Sequence, residues 1–156
     1  MNSLPATSTR VEHATRPDIN ERIRTRTTAQ LARLEGARAV ELDARLDEID
    51  REWDVERVLQ ANASTLVMVG VALGYAVDRR FLVLPAVVLT FFAQHALQGW
   101  CPPIPIFRRR GVRTAREIER ERYAIKALRG DFDAVPAAGS AGRDTRVLAA
   151  LAAVDR

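Results

Sequence analysis

The sequence predicts an all-α protein built around a membrane hairpin of two apolar helices. A long amphipathic helix flanks the hairpin on its N-terminal side and a second amphipathic helix on its C-terminal side. Three observations predict this. Of the 50 residues from 58 to 107, only Asp78, Arg79 and Arg80 carry a formal charge, and 41 of the chain's 44 charged residues lie outside that block. Soluble amphipathic helices disperse charge along their length instead. The block splits at 78–80 into segments of 20 residues, 58–77 and 81–100, each about 30 Å as a helix and so matched to the hydrocarbon core of a bilayer. The flanks carry apolar residues at three- and four-residue steps.

In chain order, residues 1–16 have no apolar run long enough for a signal peptide and read as a disordered tail. Pro17, with Asp18 and Glu21 behind it, starts a helix. Nothing but Gly36 interrupts that pattern to residue 60, so 17–60 reads as one amphipathic cytoplasmic helix. Its stripe is Ile19, Ile23, Leu31, Leu34, Leu42, Leu46, Ile49 and Trp53. Glu35, Arg38 and Arg45 break the heptad register, which argues against a sustained coiled coil. The hairpin follows over 58–100, and Pro85 is expected to push the start of its second helix inward. Residues 101–113 are a proline-rich and then basic juxtamembrane segment in which no helix is expected. Thr114 with Glu117 forms a capping box and Gly130 a C-terminal stop, giving a helix over 114–130. Residues 131–156 read as a linker and a short C-terminal helix capped by Asp144.

Folding the hairpin about Arg79 brings Asn62, Ser64 and Thr65 level with Phe92 to Ala96. An intramembrane polar belt of Asn62, Gln94, His95 and Gln98 is then expected, because polar groups in hydrocarbon need partners. Gly70 and Gly74 form a GxxxG, a close-packing face for the hairpin or for a second copy of the chain. Arginines cluster at the outer ends of the apolar segments and only Arg79 and Arg80 lie in the turn, which places both termini in the cytoplasm. Residues 41–56 hold eight acids, whereas 108–116 hold five arginines and no acid. Arg108, Arg109, Arg110 and Arg113 are therefore expected to contact either the acidic helix or anionic headgroups.

The segments REWDVERVLQANA (51–63), LPAVVLTFFAQHALQGWCPP (84–103) and RTAREIERERYAIKALRGDF (113–132) resemble the YgaP-like inner-membrane transmembrane domain family of bacteria. The resemblance spans roughly 18–132, and Cys101-Pro102 is its most recognisable feature. It implies a two-helix inner-membrane hairpin, sometimes joined to a rhodanese sulfurtransferase. This chain has no rhodanese domain and no loop with a cysteine nucleophile, which separates it from that activity.

The expected function is a non-enzymatic anchor or assembly protein of the bacterial inner membrane. It would present cytoplasmic helices to an unidentified protein partner or to another copy of itself as a homodimer, with the bilayer and its anionic headgroups as lipid partners. Two alternatives stay open: thiol or sulfur handling at Cys101, and a soluble helical protein whose apolar hairpin is buried by oligomerisation. Net charge is +4 with a pI near 10.1. The basic residues are nevertheless interleaved with acids and lack stacking aromatics, so nucleic acid is not an expected partner. One cysteine and two histidines make no metal site, and no cofactor motif is present.

Overall fold

The computed structural model describes residues 5–155. Residues 1–4 of the expected tail and residue 156 of the expected C-terminal segment lie outside the described residues. Among the described residues every regular element is helical. They are α1 (Arg10–His13), α2 (Pro17–Leu34), α3 (Ala39–Arg51), α4 (Val55–Ala76), a 3₁₀ turn (Arg79–Leu82), α5 (Val83–Gln98), α6 (Ile104–Arg109), α7 (Ala115–Arg129) and α8 (Arg143–Asp155). The chain forms two compact units, one from residues 5–26 and 52–118, the other from 27–51 and 119–155.

The helix expected over 17–60 is instead three helices. Gly36, at φ +73°, adopts the left-handed conformation that ends α2. The second break, at 52–54, precedes the cap of α4. Asp54 is extended and its carboxylate accepts the Arg57 N–H at 2.7 Å, while the Val55 N–H donates to the Arg113 carbonyl at 2.8 Å. Both are donors that a helix start leaves unsatisfied.

In the first unit α4 runs for 22 residues, about 33 Å. Asp78 then caps the 3₁₀ turn by accepting the Arg80 N–H at 2.8 Å. Pro85 sits in the first turn of α5, where a missing N–H sacrifices no intrahelical bond. The 3₁₀ turn leads directly into α5, which as an α-helix starts at Val83, and turn and helix together make a 20-residue apolar stretch, Arg79–Gln98. α4 and α5 run antiparallel. A Cβ on Gly70 would fall 2.5 Å from Pro85 Cδ, and one on Gly74 would fall 2.5 Å from Leu82 Cδ2, so this approach needs glycine. The remaining faces point outward. Leu66, Met68, Val69, Val71 and Tyr75 on α4 are exposed, as are Val83, Val87, Leu89 and Leu97 on α5. Only 22% and 11% of the most apolar stretches of the two helices are buried.

The core of this unit lies at the open end of the hairpin. Val11, Val55, Leu59, Cys101 and Ile104 are buried together, with Phe91, Phe92, Phe107 and Val112 packed against them. Val11 overturns the expectation of a disordered tail over its described part: residues 10–13 form α1 and dock in the core. Gly99 makes room for them, because a Cβ there would lie 2.5 Å from the Arg10 carbonyl carbon. α6 likewise occupies a segment where proline was expected to forbid helix. Pro103 is its N-cap and Pro105 lies in its first turn, both positions that need no N–H.

In the second unit α3 runs antiparallel to α7. Asp43 pairs with Arg129 and Asp50 with Arg122, and Arg45 Nε donates to the fully buried Glu121 at 2.9 Å. Leu42, Leu46 and Ile49 of α3, Ile125 of α7 and Ala153 of α8 are buried. Lys126 Nζ donates to the Val154 carbonyl and ties down the end of α8. Gly130, at φ +82°, ends α7.

Candidate functional site

The first unit gathers its charged side chains where α4 begins and α5 ends. Glu56, on the first turn of α4, accepts from Arg10 Nη2 of α1 at 2.8 Å and lies 2.8 Å from His95 Nε2 of α5. His95 is 2% exposed. Arg108, on the last turn of α6, has no exposed side-chain surface. Its guanidinium binds both Glu117 oxygens, at 2.6 and 2.7 Å, and also donates to Asn20 Oδ1 and the Val112 carbonyl, each at 2.9 Å. Arg113 holds Glu52 in the same two-pronged way, at 2.7 and 2.5 Å. The fork of a guanidinium matches a carboxylate with two parallel bonds, which fixes orientation as well as charge.

These contacts converge on the start of α7. Thr114 Oγ1 accepts the Glu117 N–H at 3.2 Å, and Glu117 accepts the Thr114 N–H at 2.8 Å. Glu117 therefore caps its own helix and neutralises Arg108 at once. Burial pushes its carboxyl up, but the bonds from Arg108 and Thr114 together outweigh that and hold it below the usual glutamate value. The result is a clamp: α1, α2, α6 and α7 are bonded by charged groups around one end of the α4–α5 pair.

Cys101 lies in the apolar core of the same unit. Cys101 is 5% exposed, and burial pushes its thiol up, the direction opposite to activation. Among the described residues, no group of three or more His, Cys, Asp or Glu side chains could hold a metal ion.

The polar belt expected along the hairpin does not assemble. His95 is buried, Gln94 half-buried, and Asn62 and Gln98 exposed. Asn62 donates to the carbonyl of Val58, Ser64 to that of Gln60 and Thr65 to that of Ala61, each one turn back on its own helix. Such local bonds order fewer groups than cross-helix ones. The partner of His95 is Glu56, about two turns N-terminal of the level expected from pairing about Arg79. The turn closes earlier, at Asp78. Gly70 and Gly74 both face α5 and its leading turn, so their close-packing surface is used within the hairpin. The four candidate arginines divide: Arg108 and Arg113 are buried on carboxylates, whereas Arg109 and Arg110 are exposed. The acids of 41–56 reach mainly other arginines, Asp43 and Asp50 pairing with Arg129 and Arg122 of α7.

Arg10 and Asn20 were not anticipated. Arg10 carries no periodic signal. Asn20 had a faint one, a polar residue beside Ile19 and Ile23 on the buried stripe.

Comparison with protein-family models, with curated proteins and with solved structures found no match.

Proposed function

We propose that this chain is a non-enzymatic anchor of the bacterial inner membrane, in which α4 and α5 form a transmembrane hairpin and the other helices stand in the cytoplasm for a partner protein or a second copy. The observation that carries it is the outward apolar surface of two helices each about 30 Å long. Soluble monomers rarely leave an apolar patch of that extent in water. The position of the charged clamp supports the same reading, since within the first unit buried ion pairs tie α1, α6 and the start of α7 to one end of the hairpin and leave its apolar flanks open. A burial-raised thiol argues against sulfur handling at Cys101.

Orientation follows from arginine placement, with both termini in the cytoplasm and the Asp78-Arg79-Arg80 turn outside. Single cysteines placed at the exposed residues 79 or 22, in a Cys101→Ala background, test it in intact cells with a membrane-impermeant maleimide. Labelling at 79 alone supports the reading. Labelling at 22 alone, or equal labelling at both positions, contradicts it.

A further inference from the structure

We propose that Arg26, Arg109 and Arg110 form a contact surface for the phosphate of an anionic phospholipid headgroup of the phosphatidylglycerol type; the inference rests on the membrane reading above. The clamp separates arginines that are internally neutralised from arginines that are not. Arg108 and Arg113 are buried on Glu117 and Glu52. Arg109 and Arg110, between them in sequence, are exposed, and neither has an ion pair among the described residues. The chain turns directly after them at Gly111, φ +90°. Arg26, distant in sequence and also exposed, reaches the same turn: a Cβ on Gly111 would lie 3.2 Å from Arg26 Nη1. Arg26 too lacks an ion pair among the described residues.

Arg26 Nη1 stands beside the turn that Arg109 and Arg110 lead into, and with no ion pair on any of the three among the described residues this turn carries a positive potential that an external anion relieves. Guanidinium matches phosphate geometry with paired bonds. Apolar neighbours select a lipid over a soluble anion. Ile106 of α6 is 50% exposed, and Trp100, just after α5, is 37% exposed and packs edge-on against Phe91. An aromatic at the end of an apolar helix, followed closely by arginines, is the arrangement that sits at headgroup depth.

The test reconstitutes the full chain in phosphatidylcholine vesicles carrying a small fraction of pyrene-labelled phosphatidylglycerol or pyrene-labelled phosphatidylcholine. Energy transfer from Trp53 and Trp100 reports which labelled lipid lies near this end of the hairpin. Phosphatidylglycerol is expected to be preferred by about five-fold for each arginine engaged. The triple variant Arg26→Gln, Arg109→Gln, Arg110→Gln should abolish the preference while leaving transfer to phosphatidylcholine and the circular dichroism spectrum unchanged. The turn variant Arg79→Gln, Arg80→Gln should keep it. Equal transfer to both lipids in the wild type, or an undiminished preference in the triple variant, overturns the proposal. Polyglutamate binding without a lipid preference overturns it in favour of an acidic protein. Transfer to neither lipid overturns it together with the membrane reading on which it rests.

Discussion

Replacing Arg108 by methionine removes a cation from a site closed to solvent while keeping the length of its aliphatic stem. Four hydrogen bonds disappear: two to Glu117, one to Asn20 and one to the Val112 carbonyl. The carboxylate of Glu117, 17% exposed, is left without its counter-charge. Breaking a buried ion pair by deleting one partner costs about 3–5 kcal/mol. Glu117 keeps its two bonds with Thr114, so the cost should fall at the lower end, about 3 kcal/mol. Adding Glu117→Gln leaves no stranded charge and retains a side chain suited to the capping box, so the double variant should recover about 2 kcal/mol. Acidity supplies a second signature. The folded pKa of Glu117 lies below its unfolded value. Its contribution is therefore complete above about pH 4.3 and is lost as the pH falls through the folded value. Wild type should lose stability in that acid range, and Arg108→Met should lose less. Urea unfolding in non-ionic micelles, followed by tryptophan fluorescence from pH 3 to 7, measures both effects. A single variant within about 1 kcal/mol of wild type, or a double variant whose loss equals the sum of the two singles, would refute the clamp.

Gly70→Leu should force α4 and α5 apart, because even its Cβ meets Pro85 Cδ at 2.5 Å; overpacking costs about 1–3 kcal/mol, and unchanged thermal stability in micelles would contradict the packing. Gly99→Ala meets both a left-handed backbone and the Arg10 carbonyl carbon, so proteolysis within residues 5–16 should accelerate; the strain alone is about 1–2 kcal/mol. Arg113→Glu should open the 52–54 break to protease by repelling Glu52, whereas Arg109→Glu with Arg110→Glu should leave it protected; equal cleavage of the two would remove the distinction between them. Cys101 should react with iodoacetamide at pH 7 far more slowly than free cysteine, since burial raises its thiol, and rapid labelling would revive thiol chemistry.

Sequence patterning made some elements legible because their signals are local. The uncharged stretches around Asp78-Arg79-Arg80 mark α4 and α5, and Thr114, Glu117 and Gly130 mark the two ends of α7. What escaped depends on distant partners or single residues. The 52–54 break is fixed by the Arg113 carbonyl and side chain, 58 or more residues downstream of Val55. α1 buries a single apolar residue, Val11, too little for any periodicity. The prolines around Ile104 look prohibitive until their place in the first turn is known. The division among Arg108, Arg109, Arg110 and Arg113 is invisible in a basic run, because neighbouring helical residues point about 100° apart and only the tertiary contacts decide which are buried.

Alkaline carbonate extraction of cells making the untagged chain tests the central claim most directly. If α4 and α5 lie in the bilayer, the protein stays in the membrane pellet at pH 11 and leaves it only with detergent. Recovery as a monomer in the detergent-free supernatant would contradict the account.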